Sequence, residues 1–535
     1  MKMSEKRIPS VWIAILGVVL GAMLVLTVQK ITENNRRLRA TYSDWRKLNL
    51  VLQKVDEMYV DTVDHQSVTD AAISGALSKL DPHSVYMPPA ELEESETDLA
   101  GNFDGIGIQF NVPNDTAIVL EVIPGGPSEK IGMLPGDRLL SVDDKVIAGV
   151  NFPQDSMVRR MKGPAGTKVL VKVLRDGVVI PFEITRGKIP VHSVDASFMV
   201  NDTTGYIRLS KFSRTTYSEV ANAALELLNS GMKHLVFDIR DNTGGYFDQA
   251  LRLSNLFLRR GDMIVYMEGL HRERDEYKAD GKGILKDVGL TILINETTAS
   301  SSEIFAGAIQ DNDRGVIVGR RSYGKGLVQE PVYFTDGSGI RLTVARFYTP
   351  SGRCIQKPYT DDYQYDIIKR YNDGELTDAD SIKVNTSEEF LTKGGRKVYG
   401  GGGIIPDVFV PMDTTLATRF YADCNRKATA MRFASDYFDK HKSELSAIGD
   451  YNELLKYLER SSIESRFLAF AKAKDGLEPS SKEEWDETRV YLMPQVKALV
   501  GRYSKLGDKA FYHLYLDIDN TFEEAMKPHE IVTAR

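Results

Sequence analysis

The spacing of apolar residues changes several times along the chain, and each change predicts a different kind of structure. Residues 11–28 are uncharged and largely apolar, and residues 31–100 space their apolar side chains as helices do. Residues 101–187 switch to strand periodicity with glycine-rich turns. Apolar strands alternate with amphipathic helices over 188–413, and helical spacing returns over 414–535. We therefore expect a multidomain α+β protein with a β domain, a layered α/β core and a helical C-terminal domain.

The N-terminal apolar run has the features of a membrane anchor. Val11–Val28 contains 18 residues without a charge, and Lys2, Lys6 and Arg7 precede it. At the helical rise such a run spans roughly 27 Å, close to the thickness of a bilayer core. The positive flank predicts a cytoplasmic N-terminus, with the chain after Lys30 on the other side. A cleavable signal peptide is the alternative, but no A-x-A-like site follows the run.

Composition excludes several classes of function. A chain of 535 residues accommodates two to four domains, and a net charge of −7 gives no reason to expect nucleic acid. The sequence has no metal-binding or nucleotide-binding motif, so we expect no cofactor. Cys354 and Cys424 lie far apart without metal-type spacing. Two unpaired thiols are the expectation, and a disulfide between them is the alternative.

One stretch, residues 291–329, combines structural and chemical signals. The apolar run 291–295 predicts a buried strand, a Thr/Ser hinge follows, and a helix begins near Glu303. A second strand, Gly315–Gly319, leads into a loop that holds Lys325 between two glycines. Ser300 therefore lies where a strand turns into a helix, beside free amides and the positive end of the helix dipole. Lys325 follows 25 residues later, far enough to return beside that serine.

These residue types permit nucleophilic catalysis. A serine hydroxyl needs a neighbouring base, and a lysine serves as that base when burial lowers its pKa. The amide of Ser301, at the helix start, is a candidate to stabilise an oxyanion. The simpler interpretation is a Ser-rich helix cap in which Glu303 completes a capping box. His234 precedes a strand and is expected to be structural.

The segments ILINETTASSSEIFAGAIQD and GRRSYGKGLVQ closely resemble the signature of the C-terminal processing peptidases, the tail-specific serine proteases. In that family the nucleophile precedes the glutamate of S-x-S-E by three residues, and the base lysine follows the nucleophile by 25. Ser300 and Lys325 meet both conditions, whereas Ser302 is 23 residues from Lys325 and ranks lower. The resemblance implies a Ser–Lys dyad, with Gln329 orienting the lysine. It also implies a Clp-protease/crotonase-like core. Within that core, residues 357–398 are polar and rich in Tyr and Asp, which indicates an insertion or extended loop without a predicted chemical role.

The loop RDNTGG resembles the family segment D-L-R-x-N-x-G-G, with Thr243 where proline is usual. By this resemblance, Gly244 and Gly245 are candidates for the second oxyanion donor. The alternative is a strand-to-helix turn that needs glycine only for its backbone conformation.

Residues 101–187 resemble a PDZ domain through GIGIQF, LPGDRLLSVDDKVI and GPAGTKVLVKVLRDG. The resemblance implies that Gly105, Ile106, Gly107 and Ile108 receive the terminal carboxylate of a peptide, which then adds as a strand to the sheet edge. With Phe110, the two isoleucines would line an apolar groove. Whether such a domain recruits substrate tails or gates the active site stays open at this point.

The sequence thus predicts a membrane-anchored serine endopeptidase of the bacterial inner membrane, with its catalytic part in the periplasm or another extracytoplasmic space. Expected partners are proteins with apolar C-terminal tails, an adaptor or activating protein, and further copies of the chain in a homo-oligomer. The expected domains are residues 1–30, 31–100, 101–187, 188–413 and 414–535. Two alternatives remain: a catalytically silent PDZ scaffold, and an acyl hydrolase of small esters.

Overall fold

The computed structural model describes residues 46–113, 115–360, 362–414 and 418–529. It divides into two compact units, one up to Lys79 and one from Leu80 onwards. The first unit is helical over residues 46–58 and over His65–Leu77, as the apolar spacing predicts. Asp64 caps the second helix by accepting hydrogen bonds from the amides of Gln66 and Ser67. The predicted membrane span, Val11–Val28, lies outside the described residues, and none of the helices described is long and apolar enough to cross a bilayer.

The second unit begins with an antiparallel β domain of six strands. They are Ile108–Asn111, Ala117–Val122, Arg138–Val142, Lys145–Val146, Lys168–Arg175 and Val178–Thr185, with helices Pro127–Lys130 and Gln154–Met161. Alternation fixes which face is buried: Val169, Val171 and Val173 are almost fully buried, whereas Lys168 and Lys172 are exposed. Asn102–Gly105 pairs with Gly187–Pro190 where the chain enters and leaves the domain.

The α/β core is built on a second six-stranded sheet. Its strands lie in the order Val194–Met199, Thr204–Leu209, His234–Asp238, Gly289–Ile294, Val316–Gly319 and Val408–Phe409. The first pair is antiparallel and the rest are parallel. The crossover helices are Thr216–Asn229, Phe247–Asn255 and Ser301–Asp311. This alternation of strands and helices confirms the predicted layered α/β architecture.

Both faces of the parallel sheet are covered, which explains why its inner strands are buried at almost every position instead of alternating between buried and exposed residues. The crossover helices cover one face with a large apolar core that includes Phe237, Phe257 and Phe305. The other face packs against the C-terminal end of the chain, where Leu516 and Phe522 contribute to a smaller core. The C-terminal region therefore packs directly on the parallel sheet and helps to stabilise it.

A third, antiparallel sheet lies beside the core. It comprises Val85–Met87, Met263–Gly269, Arg272–Lys278, Leu327–Tyr333 and Gly339–Tyr348. Helix Pro89–Ala100 follows its first strand. Between residues 360 and 400 the chain forms helix Asp366–Asn372, the short 3₁₀ turns Tyr363–Tyr365, Ala379–Ser381 and Thr386–Glu388, and a small hairpin of Glu389–Leu391 with Lys397–Tyr399.

The C-terminal region is helical, as predicted, but its helices are shorter than the sequence pattern indicates. They are Arg419–Arg426, Thr429–Leu445, Tyr451–Arg460, Ile463–Phe470, Lys482–Gly501, Asp508–Tyr515 and Asn520–Ala525, with a π-helical turn at Ala471–Asp475 and a 3₁₀ turn at Leu516–Ile518. Arg419–Arg426 and Thr429–Leu445 are separate helices because Ala428 between them has a left-handed backbone with φ of 50°. Asp508–Tyr515 and Asn520–Ala525 are also separate, because Asp519 caps a new helix.

Candidate active site

Ser300 occupies the turn between strand Gly289–Ile294 and helix Ser301–Asp311. Its backbone is strained, with φ of 55° and ψ of −117°, a conformation that residues other than glycine rarely adopt. Such strain is concentrated at functional sites, where the surrounding structure enforces it. Because the residue directly precedes the helix, its side chain lies at the end that carries unpaired amides and the positive dipole.

Glu303 joins the serine turn to the lysine loop. Its Oε2 accepts hydrogen bonds from the amides of Ser300 and Lys325, at 2.8 and 2.9 Å. Its Oε1 accepts from the amide of Gly324 at 2.7 Å and from the hydroxyl of Ser322 at 2.5 Å. Burial raises the pKa of this carboxyl group, and the four donors act in the opposite direction. One buried carboxylate therefore brings together two loops whose key residues are 25 positions apart.

The surroundings of Lys325 lower the pKa of its side chain. Burial lowers the pKa of this ammonium group below its usual value, and the positive charge of Arg341 lowers it further. The carboxylates of Glu303 and Asp81 act in the opposite direction. Arg341 is fixed by a hydrogen bond of 2.7 Å to the hydroxyl of Ser95. A half-buried lysine of this kind is suited to accept a proton.

The two glycines of the RDNTGG loop lie against the serine turn. A Cβ on Gly244 would come within 2.9 Å of the Cβ of Ser300 and of the Ser301 nitrogen, and one on Gly245 within 2.0 Å of the carbonyl oxygen of Phe212. Both have positive φ, 99° and 145°, so glycine is required at each position.

The amides near Ser300 differ in availability. The amide of Gly244 donates to Oδ1 of Asn242 at 2.9 Å and is therefore occupied. No acceptor for the amides of Gly245 and Ser301 is found among the described residues, while the Ser301 hydroxyl donates to the Gly245 carbonyl at 2.9 Å. Of the two predicted glycines, Gly245 is thus the better placed to donate alongside Ser301.

The competing candidates lie in unfavourable positions. The side chain of Ser302 is fully buried, and its hydroxyl donates to the carbonyl of Asn242 at 2.9 Å. His234 starts the strand that runs parallel to Gly289–Ile294, whereas Ser300 follows the end of that neighbouring strand. The histidine therefore lies at the opposite edge of the sheet. There its Nε2 is 3.0 Å from the hydroxyl of Thr291.

Gln329 lies on the strand that follows the lysine loop. Its side-chain Nε2 donates to the carbonyl oxygen of His83 at 2.6 Å. The expectation that this glutamine orients Lys325 stays a prediction. The capping box of Ser300 and Glu303 is present in the structure. Sequence reasoning used Glu303 for this box and for the S-x-S-E signature but missed its role as the link between the two loops. A glutamate three residues after the serine was the available signal.

In the β domain, the predicted peptide-binding segment is partly open. Strand Ile108–Asn111 has a single neighbour in its sheet, Ala117–Val122, so its other edge is available within the described residues. The carbonyls of Ile106 and Gly107 accept from the amides of Ser128 and Ile123, both at 3.0 Å.

Four residues of this segment differ in exposure and backbone pairing. Gly105 ends a strand and pairs with Gly187. Ile106 is 2% exposed and lies in the core of the domain, whereas Ile108 and Phe110 are half-buried against it. An apolar surface at this edge therefore comes from residues 108 and 110.

Neither cysteine forms a disulfide: Cys354 is a half-buried thiol and Cys424 a buried one. Within the part of the chain that the structure describes, no group of three or more His, Cys, Asp or Glu side chains is arranged to hold a metal ion.

Comparison with known proteins identifies related sequences. Family models match residues 203–365 (Peptidase family S41), 105–185 (PDZ domain), 18–90 (Activating protease CtpB N-terminal domain) and 420–504 (Family of unknown function, DUF8443). The carboxy-terminal-processing protease of Bartonella bacilliformis is 36% identical over 348 residues, which cover 64% of this chain and 78% of that protein. The carboxy-terminal processing protease CtpA of Bacillus subtilis is 33% identical over 318 residues, 59% of this chain and 67% of that protein. Among solved structures, the photosystem II D1 C-terminal processing protease matches with 28% identity over 69% of this chain and 86% of that one, with a TM-score of 0.38.

Proposed function

Because this chain belongs to the carboxy-terminal processing serine proteases of peptidase family S41 and carries a PDZ domain, we propose that Ser300 is its nucleophile and Lys325 its general base. The observation that carries this proposal is the shared Oε2 of Glu303, which accepts from the amides of both residues. The lowered pKa of Lys325 supports the base role, because only the neutral amine accepts a proton.

In the proposed reaction, the neutral amine of Lys325 takes the proton of the Ser300 hydroxyl as its oxygen attacks the carbonyl carbon of a peptide bond. The amides of Ser301 and Gly245 stabilise the negative charge on the carbonyl oxygen. When the tetrahedral intermediate collapses, the lysine returns the proton to the departing amine and an acyl-enzyme ester remains. Water, deprotonated by the same lysine, then hydrolyses this ester and regenerates the serine.

We assign substrate selection to the β domain. A protein tail that ends in apolar residues would add as a strand along Ile108–Asn111, with its carboxylate at the Gly105–Ile108 segment. The open edge of this strand and the half-buried apolar side chains beside it support the assignment. With the predicted anchor at Val11–Val28, the substrates would be envelope proteins, processed or degraded outside the cytoplasm.

Cleavage assays on the full chain test the dyad. The parent, Ser300→Ala and Lys325→Ala proteins are purified in detergent and incubated with an unstructured protein that ends in apolar residues. Fragments are then followed over time by mass spectrometry. We expect the parent to cleave and both variants to lose at least about 10³-fold in rate, since each removes a participant in the chemical step.

A matched control, Ser302→Ala, separates the two serines. This variant is expected to retain cleavage, because the Ser302 hydroxyl of the parent donates to the carbonyl of Asn242 and does not reach the substrate. Activity that survives Ser300→Ala but not Ser302→Ala would overturn the assignment of the nucleophile. If the parent protein binds tails but cleaves neither the tailed protein nor a small ester, the result would instead support a silent scaffold.

A further inference from the structure

The loop that carries Lys325 is bonded to a tyrosine of the inserted segment. The amide of Gly326, the next residue, donates to Oε1 of Gln356 at 2.9 Å. Nε2 of the same glutamine donates to the hydroxyl of Tyr363 at 3.1 Å. The tyrosine is almost fully buried at 4% exposure, although it belongs to a short 3₁₀ turn of the insertion. The insertion is therefore hydrogen-bonded to the loop that carries Lys325 through the side chains of Tyr363 and Gln356.

The same tyrosine hydroxyl contacts the N-terminal part of the second unit. It lies 2.7 Å from Nε2 of His83, and the two rings pack edge to face with centroids 5.3 Å apart. The carbonyl of His83 accepts from the side chain of Gln329. Gly326 and Gln329 lie one and four residues after Lys325. His83 is therefore linked to both ends of the segment 326–329, through Tyr363 and Gln356 at one end and through its own carbonyl at the other.

The turn that holds His83 is itself rigid. One carboxylate oxygen of Asp81 accepts from the amides of His83 and Ser84, both at 2.8 Å, and the other accepts from the Ser84 hydroxyl at 2.7 Å. The Ser84 hydroxyl also accepts from the amide of Thr343, which pairs with Gln329 across the neighbouring strand. The turn is therefore fastened to the same strand pair that carries the glutamine.

The direction of the first two hydrogen bonds in this series is fixed. Oε1 of Gln356 must accept, because the Gly326 amide only donates, and the Gln356 amino group therefore donates to the Tyr363 hydroxyl. In the histidine tautomer that leaves Nε2 unprotonated, the Tyr363 hydroxyl donates to the ring nitrogen of His83. A neutral imidazole suits this role, and burial with the nearby charge of Lys325 lowers the pKa of His83 to about 4.

We propose, on the basis of the Ser–Lys assignment above, that His83 and Tyr363 are positioning residues that hold the Lys325 loop in its catalytic geometry. Tyr363 acts through Gln356, and the side chain of His83 acts through Tyr363; the bond from Gln329 goes to the main-chain carbonyl of His83, which substitutions at His83 retain. Neither side chain touches the substrate. A loop held at two points keeps the lysine amine near the serine and excludes water from it. Without them, the loop would loosen, and the better hydrated lysine would have a higher pKa.

Kinetic measurements on the full chain test this proposal. An internally quenched peptide that spans a site cleaved by the parent is used with Tyr363→Phe, His83→Ala and His83→Gln. We expect Tyr363→Phe and His83→Ala to lower kcat on the order of ten- to a hundredfold with little change in KM. The acid limb of their pH–rate profile should move to higher pH. His83→Gln should recover part of kcat, because its amide oxygen accepts from Tyr363.

Tyr359→Phe is the matched control, since its ring packs near Tyr363 with centroids 5.7 Å apart and its side chain is 42% exposed. It should keep the parental kcat and pH profile. The charged groups that act on the pKa of Lys325 are Arg341, Glu303 and Asp81, and they are unchanged in every variant. His83, whose own pKa is lowered by Lys325, is replaced in two of the variants.

The result separates this proposal from the dyad on which it rests. Parental kcat and acid limb in both Tyr363→Phe and His83→Ala, with Lys325→Ala inactive, would overturn the positioning role alone. A fully active Lys325→Ala would overturn the dyad and this inference together. Equal losses in kcat for the single variants and for the double variant would support one shared path through the two side chains.

Discussion

Asp519 forms a two-point ion pair with Arg240, although 279 residues separate them in the chain. Its Oδ1 and Oδ2 lie 2.9 and 2.5 Å from the guanidinium nitrogens. Arg240 also pairs with the fully buried Asp238, whose pKa is held well below its usual range by Arg208 and Arg240 despite its burial. Arg240 is the first residue of the RDNTGG loop, and Gly244 and Gly245 follow four and five residues later, so the C-terminal region is connected to the segment that we assign to the oxyanion.

We predict that Asp519→Asn weakens this connection. Asparagine retains the helix-capping acceptor for Thr521 and Phe522 but removes the charge opposite Arg240, at a cost of about 1–3 kcal/mol. The urea midpoint should fall, and amide exchange over residues 241–245 should accelerate. Asp517→Asn, at an exposed aspartate two residues earlier, is the control. Identical midpoints and exchange rates for the two variants would contradict a structural role for the ion pair.

We predict that Gly244→Ala abolishes activity. The added Cβ would lie 2.9 Å from atoms of Ala299, Ser300 and Ser301, so the serine turn and the glycine loop would have to separate. A loss in kcat on the order of a hundredfold or more is expected, because the oxyanion donors and the nucleophile would be misaligned.

Gly261→Ala is the matched control for that variant. It has a similar positive φ, 87°, but no atom lies within 4 Å of the added Cβ. Both substitutions introduce backbone strain of about 1 kcal/mol, and only one introduces a clash. Comparable kcat values in the two variants would show that the close approach of Gly244 to Ser300 is unimportant.

Much of the architecture follows from local sequence signals. The strands predicted within residues 101–187 and the alternating strands and helices predicted within 188–413 are both present, because apolar periodicity reports directly on burial. Strand Arg272–Lys278 was not predicted, because all of its residues except Tyr277 are charged and its side chains are largely exposed, so it shows no apolar alternation. Strand Val408–Phe409 was also missed. Two residues are too few to show a periodicity, and they form a strand only because they pair with Val316–Gly319.

The candidate site was predictable where its chemistry is local. Ser300 and Ser301 are marked by a strand, a hinge and a helix start that lie within a dozen residues. The turn containing His83 and the inserted Tyr363 had no predicted chemical role, because their contact joins positions 280 apart. Glu303 was recognised only as a cap, since its bonds to Gly324 and Lys325 depend on the return of the chain after a helix and a strand.

We predict that Arg341→Gln shifts the pH dependence of catalysis. The arginine charge lowers the pKa of Lys325, after burial as the larger cause, so its removal raises that pKa. Less of the lysine is then neutral at pH 7, and the acid limb of kcat/KM, which reports the free enzyme, moves to higher pH. Activity should recover above the new limb.

Arg346→Gln controls for the change in net charge. This arginine lies on the same strand, is exposed, and is not among the groups that act on Lys325. Its acid limb should match that of the parent. An Arg341→Gln profile that falls in amplitude without moving along the pH axis would indicate a structural loss instead of an electrostatic one.

Tail recognition by the β domain gives the last prediction. On the full Ser300→Ala protein, a fluorescent peptide ending in apolar residues should bind with its free carboxylate on the order of tenfold or more tightly than as a C-terminal amide, because charge-assisted hydrogen bonds contribute about 1.5–3 kcal/mol. Gly107→Ala should weaken binding of the free acid: at φ of 78° the added Cβ would lie 3.0 Å from Ile189 and 3.3 Å from Pro127, which distorts the carboxylate-binding segment. Gly177→Ala has a similar φ of 81° in open space and should bind as the parent does. Equal affinity for the acid and the amide, measured by fluorescence anisotropy, would contradict recognition of the carboxylate by this segment.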